Sequence, residues 1–207
     1  GISPKITMSL LQKLYEKGKI TYMRTDSTNI SKKCLKSIEE YCKNKYPNLF
    51  IKRNYNNKVA NAQEAHECIR PVDININLDN QFDDKNKKLY NLIKNRVIAS
   101  QMKKSVDKKF NYKLQSIQNS DYIFKFHLLM NIDIGYKVIY TKKIKDQKTK
   151  KLIDSLQKNK IYELNKLISI EKNTKPISRY TEASLIKELE KKGIGRPSTF
   201  SSITSKL

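Results

Sequence analysis

The eight residues Ile20–Ser27 hold a tyrosine and an arginine at a spacing that suits attack on phosphorus. Ionising a phenol, whose reference pKa is near 10, costs roughly 4 kcal/mol at pH 7. A cation such as Arg24 lowers that cost and stabilises the charge that builds on the phosphorus. In an extended, β-type stretch both side chains project to the same side, and residues 25–27 either cap the next helix or hold Arg24. The pair predicts a tyrosine nucleophile; the alternative is a packing or surface tyrosine.

A second motif, Gln63–Pro71, contains a histidine and an arginine four positions apart. His66-Glu67 suggests a zinc protease, but the position that needs a second histidine holds Arg70, which excludes that reading. On a helical turn, His66 and Arg70 share a face and present two donors to one anion. An ordinary helix end with a Glu64/Arg70 pair is the alternative.

A third motif, Gly193–Thr199, lacks the last glycine of a dinucleotide fingerprint and the Gly-Lys-Ser/Thr end of a P-loop. It predicts a new helix that opens at Pro197, beside Arg196 and the hydroxyls of Ser198 and Thr199. Backbone amides, a guanidinium and hydroxyls together suit an anion such as a DNA phosphate. A plain connection between two helices is the alternative.

The chain is strongly basic, with 43 Lys+Arg against 20 Asp+Glu and a formal net charge of +23 over 207 residues. Such a charge predicts a polyanionic partner, nucleic acid before an anionic membrane, although lysine-rich coding bias explains part of it. Only six of the basic residues are arginine. Four of them lie in short stretches whose composition differs from the lysine-, asparagine- and isoleucine-rich remainder: Arg24, Arg70, Arg179 and Arg196. Where lysine is the usual cation, arginine indicates a need for a planar, two-pronged donor.

Other patterns exclude several classes of protein. No run approaches the ~20 apolar residues of a membrane-spanning helix, and no signal peptide is visible, so we expect an intracellular protein. A nucleic-acid partner predicts a compartment that contains DNA. The three cysteines, Cys34, Cys42 and Cys68, lack CxxC spacing, which argues against disulfides and zinc and favours a reducing compartment.

Periodicity predicts an α+β fold. Apolar residues at helical spacing indicate helices over about 3–17, 31–46 and 85–102, and a further helix begins near Thr181 and ends at Gly193. Alternating apolar residues predict antiparallel strands over 110–114, 122–130 and 136–140. The lysine-rich residues 141–160 are predicted to form a solvated excursion.

Together the motifs resemble those of type IA DNA topoisomerases. Ile20–Ser27 is similar to the active-site signature of that family, and Glu64–Glu67 with Ile69–Pro71 is similar to its second motif. A third stretch, Arg179–Glu190 continuing into Gly193–Thr199, resembles another. The resemblance implies three parts: a helix-rich gate domain over 1–106, a strand-rich arch segment over 107–175, and the start of a helical DNA-groove domain over 176–207.

The resemblance also implies roles for individual residues. Tyr22 attacks one DNA strand and becomes joined to a 5′ phosphate, while Arg24 and His66 contact phosphate during catalysis. The DNA-binding residues it implies are Arg70, Arg196, Ser198 and Thr199. The partner is then a single-stranded segment of DNA contacted through its backbone, and the protein is expected to be a monomer that binds no membrane.

Enzymes of this family hold magnesium through a glutamate and an Asp-x-Asp cluster in a TOPRIM domain. This sequence contains no Asp-x-Asp. We therefore expect an internal fragment that binds no metal itself and is inactive alone, with magnesium bound elsewhere in the complete enzyme.

Two other functions stay open. Basic charge with many tyrosines also suits a non-catalytic module that binds single-stranded DNA by stacking and backbone contacts. The second possible function is that of a different tyrosine nuclease, either a recombinase or a replication initiator. A recombinase joins its tyrosine to a 3′ phosphate, whereas a replication initiator needs a His-x-His metal pair. His66 and His127 are far apart in sequence, which argues against the initiator.

Overall fold

The structure, a computed structural model, describes residues 1–55, 66–141 and 147–206. Its elements in chain order are α1 (Pro4–Glu16), α2 (Lys32–Lys45), α3 (Asp84–Ser100), β1 (Val106–Gln115), β2 (Ile123–Asp133), a 3-10 helix (Gly135–Ile139), α4 (Gln147–Ser155), α5 (Glu182–Lys191) and α6 (Phe200–Lys206). The chain divides into two compact units, Gly1–Lys103 with Ser178–Leu207, and Lys104–Ile177.

The first helix begins and ends where its sequence predicts. The Ser3 hydroxyl oxygen accepts a hydrogen bond from the Ile6 amide (3.4 Å), and Pro4 occupies the first turn, where its missing N–H carries no cost. After the helix, Gly18 adopts φ +63°, a conformation that glycine reaches without Cβ strain. The chain reverses there and leads directly to Tyr22.

The core of the first unit lies between α1 and α3. Its buried members are Leu11, Leu14, Ile20, Met23, Phe82 and Tyr90, and five partly buried side chains pack against them: Met8, Ile69, Leu78, Leu89 and Ile93. Ile20 and Met23 come from the motif that contains Tyr22. The same apolar contacts that stabilise the helices therefore also fix the backbone of that motif.

Helix α3 holds a neighbouring loop through two buried polar side chains. The Tyr90 hydroxyl donates to the Ile76 carbonyl (3.1 Å), and the Lys94 ammonium donates to the same carbonyl (3.0 Å) and to Asn77 Oδ1 (3.0 Å). Burial raises the pKa of Tyr90 to about 12 and lowers the pKa of Lys94. Both side chains serve the loop structurally.

Helices α5 and α6 complete the first unit, with α6 packed on α1. Thr181 caps α5 as predicted, since its hydroxyl oxygen accepts from the Ser184 amide (3.2 Å) while Ser184 Oγ accepts from the Thr181 amide (2.8 Å). Gly193, at φ +69°, follows the end of α5.

The second unit contains a two-stranded antiparallel sheet of β1 and β2. In its register Phe110 lies opposite Leu128, Tyr112 opposite Phe126, and Leu114 opposite Phe124, and these three pairs share one face of the sheet. The rings of Tyr112 and Phe126 are stacked with centroids 5.1 Å apart. The predicted strands over 110–114 and 122–130 are thereby confirmed.

The predicted strand over 136–140 is wrong. The Gly135 amide donates to Asp133 Oδ1 (3.0 Å), and Gly135 itself adopts φ +46°, so the chain turns as soon as β2 ends. The 3-10 helix then uses local hydrogen bonds, such as Tyr140 N–H to Lys137 O (2.9 Å). Alternating apolar residues alone did not reveal this turn.

In the lysine-rich segment, α4 is a helix without buried residues; residues 142–146 lie outside the described part. None of the described helices is long and apolar enough to cross a membrane. Helices with an antiparallel sheet agree with the predicted mixed fold. The gate, arch and DNA-groove assignments, with their boundaries, stay predictions.

Candidate active site

Tyr22 is exposed on a stretch whose neighbours are buried. Ile20 and Met23 are 1% and 3% exposed, whereas Tyr22 is 37% exposed, and Arg24 is exposed as well. The predicted β-type stretch is a single bridge between Ile20 and Pro71 followed by bends. Burial on either side of Tyr22 leaves its ring accessible while the backbone beneath it is held.

Residues 66–72 are joined to residues 19–29 by hydrogen bonds between distant parts of the chain. Thr21 forms three of these bonds: its N–H donates to Arg70 O (2.9 Å), its Oγ1 accepts from Arg70 N–H (2.9 Å), and its hydroxyl donates to Cys68 O (2.7 Å). Two further bonds join the backbones on either side, from Val72 N–H to Lys19 O (3.0 Å) and from Cys68 N–H to Asn29 O (2.8 Å). Two motifs that are separate in sequence therefore form one structure.

These bonds overturn the helical turn predicted for His66 and Arg70. The described backbone there is irregular, because its amides and carbonyls bond to the Tyr22 segment and not to a helical turn. Pro71 also disfavours helical dihedrals at Arg70. The alternative pair of Glu64 with Arg70 lies outside the described residues.

Two aromatic rings contact the Tyr22 ring. The His66 ring has its centroid 5.7 Å away at an interplanar angle of 73°, and the Tyr15 ring lies 5.3 Å away at 67°. Both are edge-to-face arrangements, the geometry that aromatic quadrupoles favour. The structure thus brings predicted Tyr22 and His66 together. The sequence motifs do not include Tyr15, although it lies three residues before Gly18, where the chain reverses toward Tyr22.

His66 has an unsatisfied ring nitrogen. Its Nδ1 is buried, and the described residues provide no hydrogen-bond partner for it. A buried polar atom left without a partner costs about 1–3 kcal/mol. A hydrogen-bond partner at this nitrogen would remove that cost. Because the nitrogen is buried, a phosphate reaches it only if the site opens, and the phosphate contact of His66 stays a prediction.

Arg24 is exposed, and within the described part of the chain it forms no hydrogen bond or ion pair. Residues 25–27 do not cap α2: the Ser27 amide donates to Thr25 Oγ1 (3.0 Å), whereas Ser31 Oγ accepts from the Cys34 amide at the start of α2 (3.4 Å). The loop after Arg24 is therefore closed by its own hydroxyls. The Arg24 guanidinium stays available to an anion.

Arg70 is bound within the protein. Its Nε donates to Glu67 and its Nη1 to the Pro71 carbonyl (2.9 Å), and its side chain is 13% exposed. Burial would raise the pKa of Glu67, but hydrogen bonds from Arg70 and Ser31 and the Arg70 charge lower it overall. The predicted contact of Arg70 with DNA stays a prediction, and its observed partners are internal.

The cysteines near this site are not poised as nucleophiles. Burial raises the pKa of Cys68 to about 11 despite the opposing Arg70 charge, and burial also raises the pKa of Cys34. Both thiols stay protonated at neutral pH, and a thiol reacts as its thiolate. Tyr22 is thus the accessible candidate nucleophile among these groups.

The third motif forms a tight turn before α6. The Thr199 hydroxyl oxygen accepts from the Arg196 amide (2.9 Å) and the hydroxyl donates to the Arg196 carbonyl (3.1 Å). Arg196 and Ser198 are exposed. The predicted helix opens later than expected, at Phe200 and not at Pro197. Thr199 closes the turn, and its contact with DNA, like those of Arg196 and Ser198, stays a prediction.

The described residues do not fit a magnesium site. Among them, no three His, Cys, Asp or Glu side chains lie close enough together to hold a metal ion, and hard cations require several oxygen ligands. Glu67 is already bonded to Arg70.

Comparison with known proteins supports the same family as the motifs. A family model described as DNA topoisomerase matches residues 1–207. DNA topoisomerase 1 of Buchnera aphidicola subsp. Acyrthosiphon pisum is 42% identical, covering 100% of this chain and 24% of that protein. DNA topoisomerase 1 of Pasteurella multocida is 38% identical, covering 99% and 24%. The chain spans about a quarter of the length of these relatives.

A solved structure shares the fold. The full-length topoisomerase I from Thermotoga maritima matches with a TM-score of 0.73 and 30% sequence identity, covering 100% of this chain and 34% of that one. The family match extends over the whole sequence, including the segments that contain Tyr22, His66 and Arg196. The chain belongs to the DNA topoisomerase family.

Proposed function

We propose that this chain provides the nucleophile-bearing gate of a type IA DNA topoisomerase, an isomerase that changes DNA topology by cutting and rejoining one strand. The observation that carries the proposal is the exposed Tyr22 ring in contact with His66. These residues come from separate motifs and meet at one site whose accessible nucleophile is a phenol.

In the proposed step, the Tyr22 oxygen attacks a phosphorus of one DNA strand. A Tyr22 O–P bond forms, and the bond from phosphorus to the neighbouring 3′ oxygen breaks. The phenol loses its proton, and the departing 3′ oxygen takes up a proton to become a hydroxyl. The product is a 5′-phosphotyrosine, and attack by the 3′ hydroxyl restores the strand after another strand has passed.

Arg24 and His66 assist by stabilising the phosphate. The Arg24 guanidinium is exposed and uncommitted among the described residues, so it can approach the equatorial oxygens as negative charge builds on them. His66 Nδ1 is buried without a described partner, and it gains one if the site opens enough for a phosphate oxygen to reach it. We also propose that the complete enzyme binds magnesium through a TOPRIM domain that is not part of this chain.

The partner we propose is a single-stranded segment of DNA, bound by a monomer in the compartment where the cell keeps its DNA. The formal charge of +23 supports a polyanion. Arg196 and Ser198 are exposed beside the turn before α6, where they can contact the sugar–phosphate backbone. Thr199 shapes that turn through its bonds to Arg196.

Trapping the covalent adduct tests this function against a non-catalytic binding module. The complete protein is mixed with a single-stranded oligonucleotide labelled at its 3′ end and denatured rapidly. We expect the label to travel with the protein, and we expect Tyr22→Phe to bind DNA nearly as before without forming an adduct, since only the hydroxyl is lost.

Tyr55→Phe is the matched control, because Tyr55 is 38% exposed, close to the 37% of Tyr22. It should form the adduct normally. Persistent adduct in Tyr22→Phe would contradict the assignment of the nucleophile. Transfer of a 5′ label in place of the 3′ label would indicate a recombinase-like 3′ attachment.

A further inference from the structure

We infer that Tyr15 is a positioning residue for Tyr22, holding the phenol ring in the orientation from which its oxygen attacks DNA. This inference rests on the proposed function of Tyr22. Its basis is the edge-to-face contact between the two rings, with centroids 5.3 Å apart and an interplanar angle of 67°.

Tyr22 needs such a contact because its ring is accessible. A side chain that is 37% exposed exchanges between rotamers within nanoseconds when nothing restrains it. Attack requires the oxygen to lie in line with the scissile bond at near-contact distance, and each rotamer that points elsewhere lowers the reactive fraction. A neighbouring ring that favours one orientation raises that fraction.

The backbone of Tyr15 is held at the end of α1. The preceding residue, Leu14, is fully buried in the core. The Tyr15 carbonyl accepts from the Gly18 amide (2.8 Å), and the Leu14 carbonyl accepts from the Lys19 amide (2.9 Å). These bonds close the turn that returns the chain to Tyr22, so the backbone is fixed at both residues of the ring pair, and the two rings restrain each other through their contact.

The Tyr15 side chain is 40% exposed, so the contact with Tyr22 does not serve to fill the core. Its role can therefore be separated from folding. Losing the ring should change how often Tyr22 is aligned and should leave DNA affinity intact, because Tyr15 carries no charge that pairs with phosphate.

The experiment measures single-turnover adduct formation by the complete protein at saturating single-stranded oligonucleotide, together with the dissociation constant of that oligonucleotide. We expect Tyr15→Ala and Tyr15→Leu to form adduct about five- to tenfold more slowly, in line with the loss of one edge-to-face contact. The dissociation constant should stay within about twofold. Tyr15→Phe, which keeps the ring, should restore the rate.

Tyr140→Ala is the matched control, because Tyr140 also forms an edge-to-face pair, with Tyr136 in the other compact unit (6.4 Å, 83°). Its rate should be unchanged. The positioning role is overturned if Tyr15→Ala retains the full rate, if Tyr15→Phe is as slow as Tyr15→Ala, or if the loss lies in DNA affinity. Absence of any Tyr22-dependent adduct in the unmodified protein would instead overturn the proposed function, and this inference with it.

Discussion

Tyr22, Arg24 and His66 differ in their contacts and in their exposure to solvent. The Tyr22 ring has two aromatic neighbours, while His66 keeps a buried nitrogen without a described partner. Arg24 is exposed. An anion-binding site needs side chains whose hydrogen-bonding groups are not already used within the protein. Arg70 does not meet this condition, because its guanidinium is bonded to Glu67.

Replacing Arg24 by lysine tests whether the guanidinium shape matters. Arg24→Lys keeps the charge but loses the planar fork that can contact two phosphate oxygens. We expect cleavage to slow by about tenfold or more, corresponding to roughly 1.4 kcal/mol or more of lost transition-state stabilisation. Single-turnover adduct formation in the complete protein measures it, with Arg53→Lys as the control. An unchanged rate would assign Arg24 a structural role only.

Glu67 should stabilise the join between the two motifs in a pH-dependent way. Its pKa is lowered in the folded protein, so the contribution is present above the unfolded pKa near 4.3 and is lost as the pH falls through the folded value. Since the carboxylate is 34% exposed, screening limits the effect to about 0.5–1 kcal/mol.

Amide hydrogen exchange in the complete protein checks this prediction at the Cys68 and Arg70 amides, which form the join. Glu67→Gln should exchange there about two- to fivefold faster than the unmodified protein at neutral pH. The difference should fade once the pH lies well below the folded pKa. Equal exchange at both pH values would contradict the role of Glu67.

The helices could be predicted from local sequence signals, whereas the contacts that form the candidate site could not. Ser3 and Ser31 mark the starts of α1 and α2 and bond as caps should. In contrast, the segment from His66 to Arg70 has its backbone bonds with Thr21 and Asn29, which no local pattern encodes.

Two further features of the structure could not be predicted from local sequence patterns. The strand predicted over 136–140 is replaced by a 3-10 helix because Gly135 and Asp133 form a turn. The Tyr15–Tyr22 contact depends on the reversal at Gly18. The sequence motifs predicted Tyr22 and His66 as candidate site residues, but only the tertiary structure shows that their rings are in contact.

The turn between α5 and α6 should depend on Gly195 more than on Gly193. Both adopt left-handed φ, +78° and +69°, where a Cβ costs about 1 kcal/mol. A Cβ at Gly195 would also lie 3.0 Å from Ile203 Cδ1 and 3.2 Å from Thr199 Oγ1, whereas nothing lies within 4 Å at Gly193. Gly195→Ala should therefore destabilise the turn by about 1–2 kcal/mol more than Gly193→Ala. Hydrogen exchange at the Arg196 and Ile203 amides measures the difference, and equal effects would contradict it.

If the proposed DNA partner is right, the formal charge of +23 predicts that the affinity for DNA falls as the salt concentration rises. Arg196→Ala should weaken binding of single-stranded DNA by about 1–3 kcal/mol. The loss should be similar for all base compositions, since phosphate contacts carry no sequence information. The slope of log affinity against log salt should fall by about 0.7, the value for one phosphate contact on a single strand.

Titration of a labelled oligonucleotide at several salt concentrations measures both quantities in the complete protein. Thr199→Ala is a useful comparison, because a neutral hydroxyl contributes no counterion release and should leave the slope unchanged. If Arg196→Ala changes neither affinity nor slope, the turn before α6 is only a connection between helices.

Locating the covalent bond between the protein and DNA determines whether Tyr22 is the nucleophile. The complete protein is trapped on single-stranded DNA, digested with nuclease and trypsin, and analysed by mass spectrometry. Cleavage after Lys19 and Arg24 releases the peptide Ile20–Arg24, which contains one tyrosine. We predict that this peptide carries a nucleotide through its 5′ phosphate on Tyr22. A nucleotide on any other peptide, or attachment through a 3′ phosphate, would contradict the claim.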